Sequence, residues 1–190
     1  GDKVIVVSPH YVAYPALTEI NCAQVLFLRT KQEDGFKINP KDLRMLLKEK
    51  PKAVVLNYPC NPTGVTYTRA ELSVIWKLLA RHEVFVISDE TYDELTYGGK
   101  HTAFASLDKK ARRRTVLLNG FSKGYAMTGF RVGYACADKT LIQAMTKIHS
   151  YSMLCGPIIS QIAASQALQA GKEVEQMRTA YRRRRDFIVK

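Results

Sequence analysis

The chain has 190 residues, 46% hydrophobic and 24% charged, a balance that excludes a disordered segment and allows one substantial core. No apolar run is long enough to span a bilayer and no signal peptide opens the sequence, so it reads as a cytoplasmic chain with no membrane partner. The formal net charge of +12 raises nucleic acid as a partner, but much of the excess sits in residues 109–114 and 182–185. No helix-turn-helix, zinc spacing or aromatic platform accompanies those runs, and they read as solvated surface.

Residues 4–7, Val-Ile-Val-Val, form an unbroken apolar run typical of a strand buried on both faces. So abrupt a start in a core strand implies a piece of something larger. Ser8-Pro9-His10-Tyr11 is the loop after it, followed by a predicted helix over 14–22, a strand over 25–28 and a turn at 33–35. Asn39-Pro40 opens a helix running to residue 50, with proline at its first position. A third strand covers 53–56, and the loop 57–64 is dense in turn residues. Thr68 and Glu71 make a capping box for a helix through about residue 82.

The run 84–87 is a further buried strand, ending at Ser88-Asp89-Glu90, and the basic stretch 109–114 reads as an exposed loop before a strand at 116–118. A strand at 131–136 precedes three helices, about 138–150, 157–171 and 173–190. Cys22, Cys60, Cys136 and Cys155 are widely spaced with no CxxC pair, which reads as reduced thiols without a metal site. Strands alternating with helices imply an α/β fold, a three-layer α/β/α sandwich around a mostly parallel sheet. Ligands of such sheets bind beyond the carboxyl ends of the strands.

Three loops at strand carboxyl ends carry chemistry. In 57–64, two prolines and a glycine hold Asn61, whose amide can donate to an anionic oxygen; the alternative is a rigid turn before a capped helix. In 88–92, Asp89 ends an apolar strand, where an unpartnered charge is costly, and Tyr92 offers a phenol nearby. In 119–131, Lys123 is either a solvated loop lysine or an amine activated by partial desolvation for Schiff-base chemistry. Ser122 and Arg131 supply a hydroxyl and a planar charged fork suited to phosphate. A cofactor aldehyde with a pyridine nitrogen, a ring oxygen and a phosphate would use all of these groups. Pyridoxal 5'-phosphate needs that division of labour.

The stretches Asn61-Pro62-Thr63-Gly64, Asp89-Glu90-Thr91-Tyr92 and Ser122-Lys123 through Arg131 resemble the signature motifs of fold-type I, class I/II aminotransferases. Ser8-Pro9-His10-Tyr11-Val12-Ala13-Tyr14-Pro15 resembles the ring-stacking loop of the aspartate/aromatic branch. The resemblance implies the large-domain fold of pyridoxal-phosphate-dependent transferases. It implies Lys123 as the Schiff-base lysine, Asp89 as partner of the ring nitrogen, Asn61 and Tyr92 as ligands of the ring oxygen, and Ser122 and Arg131 as phosphate ligands. Tyr11 would stack on the ring, or else be a packed loop tyrosine. Lys123, Asp89 and Tyr92 are then the catalytic residues of ping-pong transamination between an L-amino acid and a 2-oxo acid, in a homodimer. An N-terminal phosphate loop and the carboxylate-binding arginine of a small domain are not located in the sequence. Residues 1–190 are thus expected to be part of the large domain, inactive and free of cofactor on their own. A β-eliminating C–S lyase and the cofactor-sensing domain of a transcriptional regulator are the alternatives on the same scaffold.

Overall fold

A computed structural model describes all residues, 1–190. The apolar runs form six strands: β1 (Lys3–Ser8), β2 (Gln24–Arg29), β3 (Ala53–Asn57), β4 (Phe85–Asp89), β5 (Thr115–Gly120) and β6 (Gly133–Cys136). They make one sheet in the order β2-β1-β3-β4-β5-β6. The first five are parallel and only β6 runs antiparallel, against β5. The register sets Asn57 beside Asp89 and Asp89 beside Leu118. The carboxyl ends of β3 and β4 therefore finish level, with β5 running two residues further to Gly120, and ligands of parallel sheets bind beyond such ends.

Helices α1 (Ala13–Ile20), α2 (Pro40–Leu47) and α3 (Arg69–Leu79) connect the early strands. Leu72, Ile75, Trp76 and Leu79 are all buried, and their spacing puts them on one helical face. They join a core of 17 buried residues that includes Ile5, Val54, Leu56 and Val86 from the sheet and Leu43 and Leu47 from α2. The capping box at the start of α3 forms in full: the Thr68 hydroxyl accepts from the Glu71 backbone N–H and the Glu71 carboxylate accepts from the Thr68 N–H.

Several boundaries differ from the sequence reading. The basic run Lys109–Arg114 is a helix, α4, and not a loop. The Asp108 carboxylate accepts from the Ala111 N–H at 2.7 Å and caps it, while Ala111 itself is fully buried. One small core-facing residue and one cap suffice to order an otherwise charged turn. Helix α2 stops at Leu47, because Lys50 adopts a left-handed φ of 51° and precedes Pro51, a position where helix is disfavoured. Helix α3 likewise ends at Leu79, followed by a turn. Arg131 is also left-handed, with φ 51°, so β6 begins two residues later than expected.

The last third is helical, as α6 (Lys139–Ser152), α7 (Ile158–Ala167) and α8 (Gly171–Ile188). No helix is long and apolar enough to cross a membrane. The lysine of interest does not sit on an open loop: Phe121–Gly124 forms a single helical turn, α5, directly after β5.

Candidate active site

The site is built where three strands end. At the tip of β4, the Asp89 carboxylate accepts from the Tyr14 hydroxyl at 2.6 Å on one oxygen, and from the Thr91 hydroxyl at 2.7 Å and N–H at 3.2 Å on the other. These donors answer the sequence-level question of what partners a carboxylate ending an apolar strand. A carboxylate offers about four acceptor positions, so Asp89 retains capacity for one more donor.

After β3, the Asn57 side chain clamps its own loop. Its amide donates to the Asp89 carbonyl at 3.1 Å and its oxygen accepts from the Asn61 N–H at 2.8 Å. The Tyr58 N–H donates to the same Asp89 carbonyl at 3.2 Å. Gly64 closes the loop with a φ of 69°, its N–H reaching the Cys60 carbonyl at 2.7 Å. Asn61 is thereby fixed to the strand that carries Asp89.

After β5, the turn of α5 carries Ser122 and Lys123. A Cβ on Gly124 would stand 2.9 Å from the Glu94 Cβ, so glycine is what allows this turn to pack against the segment following Tyr92. Beneath the turn, Phe121 and Met127 are buried with Ala164 of α7. The Lys123 ammonium lies 5.9 Å from the centre of the Tyr92 ring, within cation–π range. Arg131 donates to the Thr128 carbonyl at 2.9 Å, which holds its guanidinium at the rim.

Tyr11, Asn61, Asp89, Tyr92, Ser122, Lys123 and Arg131 all line one cavity of about 370 Å³. The structure thus brings together every site residue chosen from the sequence. The same cavity is lined by Tyr14, Asn57, Thr91 and Thr128, which the sequence reading passed over. Tyr14 falls in the Ser8–Pro15 stretch and at the start of a predicted helix, and neither gave it a role of its own. Its place on the first turn of α1, directly after the loop that carries Tyr11, was the available signal. The two rings meet edge to face with centroids 5.8 Å apart.

Both phenols near Asp89 are biased toward the neutral form. Burial, then the Asp89 charge and hydrogen bond, raises the Tyr14 pKa far above its ordinary value. Burial and the Asp89 charge also raise that of Tyr92, opposed by a hydrogen bond with Asn61. Around neutral pH each is an O–H donor. The cavity therefore presents an amine, a carboxylate, two neutral phenols, an amide, a hydroxyl and a guanidinium at the mouth of a parallel sheet.

Comparison with known proteins agrees with this arrangement. The family model for aminotransferase class I and II matches residues 1–190. An aspartate aminotransferase of Bacillus subtilis is 39% identical over 189 residues, covering 98% of this chain and 48% of that protein. The aspartate aminotransferase from Thermus thermophilus solved with maleate superposes with a TM-score of 0.92 at 37% identity, over 100% of this chain and 50% of that one. An aromatic aminotransferase from Pyrococcus horikoshii gives a TM-score of 0.95 at 36% identity, over 99% and 51%. The chain spans about half the length of the curated relatives it matches. On its match along all 190 residues, the chain belongs to the aminotransferase class I and II family.

Proposed function

We propose that residues 1–190 are the cofactor-binding part of the large domain of a pyridoxal-phosphate-dependent aminotransferase. The observation that carries this reading is the convergence of Lys123 and Asp89 on one cavity with Asn61, Tyr92, Ser122 and Arg131. The donor set fits the cofactor group by group: a carboxylate for the pyridine N–H, a phenol and an amide for the ring oxygen, a hydroxyl and a guanidinium for the phosphate. The cavity volume also falls in the range of small-molecule sites. When bound, pyridoxal phosphate supplies an electron sink that stabilises negative charge at the substrate Cα.

Each residue then has a defined task. Asp89, fixed by Tyr14 and Thr91, holds a proton at the ring nitrogen. Neutral Tyr92 and Asn61 would donate to the ring oxygen and orient the ring, and Tyr11 lines the same cavity. Ser122 and Arg131 bind the phosphate. Lys123, whose side chain lines the cavity, would hold the aldehyde group of the cofactor, and its amine would serve as the base toward the substrate Cα proton. The substrates are an amino acid and a 2-oxo acid in ping-pong order, and the assembled form is a cytoplasmic homodimer. Residues 1–190 alone bind the cofactor weakly and do not turn over. Relatives named aspartate aminotransferase make aspartate the first amino donor to assay, with a 2-oxo acid as acceptor.

The test uses the full-length protein in single turnover with the amino acid, following formation of the 2-oxo acid without release of ammonia. The Asp89→Asn variant is expected to bind cofactor more weakly and to lose about 100-fold or more in rate, as when one preorganised electrostatic group is removed. Wild-type single-turnover rates in that variant would contradict the assignment of Asp89, and release of ammonia with pyruvate would replace transamination by elimination.

A further inference from the structure

Asp89 and Glu90 are adjacent carboxylates with opposite surroundings. Asp89 lines the cavity, whereas Glu90 is 1% exposed and lies in the core. A buried carboxylate is expensive unless hydrogen bonds surround it, and Glu90 collects four. One oxygen accepts from the Ser88 hydroxyl at 2.7 Å, the Phe104 N–H at 3.0 Å and the Tyr58 hydroxyl at 3.1 Å. The other faces His101 Nε2 at 2.6 Å.

These partners tie the back of the site together. Tyr58 is held at both ends: its hydroxyl lies between Glu90 and the Thr102 carbonyl, at 3.1 and 3.2 Å, and its N–H donates to the Asp89 carbonyl. It opens the loop that carries Asn61. The Glu90 N–H donates to the Leu118 carbonyl at 2.9 Å, which pins the same turn to the strand leading to Lys123. His101 stacks on Tyr58 with centroids 5.2 Å apart, yet its buried Nδ1 has no hydrogen-bond partner. A buried unsatisfied nitrogen requires a reason, and the one hydrogen bond this imidazole makes is to Glu90.

We propose that Glu90 is a positioning residue: its carboxylate, braced by His101, locks Tyr58 and thereby sets Asn61 and Asp89 in the geometry that receives the cofactor ring. The proposal rests on the reading of the cavity as a pyridoxal phosphate site. It requires the hydrogen-bond framework and not the charge. In Glu90→Gln the amide oxygen still accepts from Tyr58, Ser88 and Phe104, and its N–H₂ meets the imidazole in the other tautomer. In Glu90→Ala the framework is gone.

The experiment titrates full-length apoprotein with pyridoxal phosphate by absorbance and follows amide hydrogen exchange in residues 57–62 and 89–92 without cofactor. Glu90→Ala is expected to raise the cofactor Kd by about tenfold or more, as loss of buried hydrogen bonds implies, and to speed exchange in both segments. Tyr58→Phe, which keeps the ring and removes one hydroxyl, raises Kd in the same direction by a smaller factor. Glu90→Gln restores both readouts to near the wild type. Unchanged Kd in Tyr58→Phe, with Glu90→Ala either unchanged or unfolded, would reduce Glu90 to a stability element and overturn the proposal. A Glu90→Gln variant as weak as Glu90→Ala would overturn the framework role in favour of charge. Wild-type protein that takes up no cofactor would overturn the reading of the cavity, and this inference with it; normal uptake by Glu90→Ala overturns the inference alone.

Discussion

The sheet region and the C-terminal helices obey the same periodic rules but bury very different amounts of surface. Every member of the 17-residue core lies between Ile5 and Ala111. In contrast, α6 buries no residue, α7 only Ser160 and Ala164, and α8 only Val174. Ile148, Leu154, Ile159 and Ile188 are 71%, 81%, 75% and 79% exposed. Amphipathic spacing makes a helix, but a core also needs a facing surface, and α2 and α3 have the most extensive one, with two and four buried residues. The site stands where the two regions meet. Asp89 ends a strand of the well-buried sheet and Asn61 stands on a loop tied to it through Asn57, while the turn bearing Lys123 rests through Phe121 and Met127 on Ala164 of α7.

The largest test of that contrast is a pair of truncations. Leu72→Ala, at a fully buried position on α3, is expected to cost about 2–5 kcal/mol. Ile159→Ala, on the exposed face of α7, should stay within about 0.5 kcal/mol. Urea unfolding midpoints decide it, and a loss at Ile159 equal to that at Leu72 would erase the distinction between the two regions.

A smaller effect sharpens the same contrast through pH. Tyr58 and Tyr67 sit in the sheet core, and burial raises both pKa values above the ordinary 10.0, with Glu90 adding to the rise at Tyr58 and a hydrogen bond at the Ile38 backbone opposing it at Tyr67. A raised phenol pKa means that the fold holds the proton more tightly than the unfolded chain does. Stability is therefore full below pH 10 and falls as pH climbs above it, by about 1.4 kcal/mol per pH unit for each such group. Melting temperatures measured across that range should decline with the appearance of tyrosinate absorbance, and Tyr67→Phe should flatten the decline. A melt independent of pH above 10 would show these phenols to be less enclosed than the structure has them.

Much of this was legible in the residues. Unbroken apolar runs such as 53–56 and 84–87 read as strands, although Phe85 leaves one face of β4 partly open at 40% exposure, and the order of strands and helices left a mostly parallel sheet as the natural arrangement. The candidate site residues came from loops of unusual composition and from the resemblance of their motifs, and all of them line one cavity. Tyr14, Thr91, Asn57 and Thr128 were not legible, because a tyrosine in an amphipathic helix or a threonine in a turn looks like any other until the strand register brings Asp89 beside it. Glu90 was hidden for the opposite reason: a charged residue next to a strand end reads as solvated, and only the fold reveals the four donors around it. The helix at Lys109–Arg114 escaped notice because five of its six side chains are basic and a single alanine faces the core.

The central claim is that Lys123 is the amine on which this cavity is centred. Full-length protein incubated with pyridoxal phosphate, reduced with borohydride and mapped by peptide mass spectrometry tests it most directly. The expected result is one pyridoxyl group per chain, on Lys123, with the label lost in Lys123→Ala. A label on Lys139 or Lys147 instead, or one that persists in Lys123→Ala, would contradict the account.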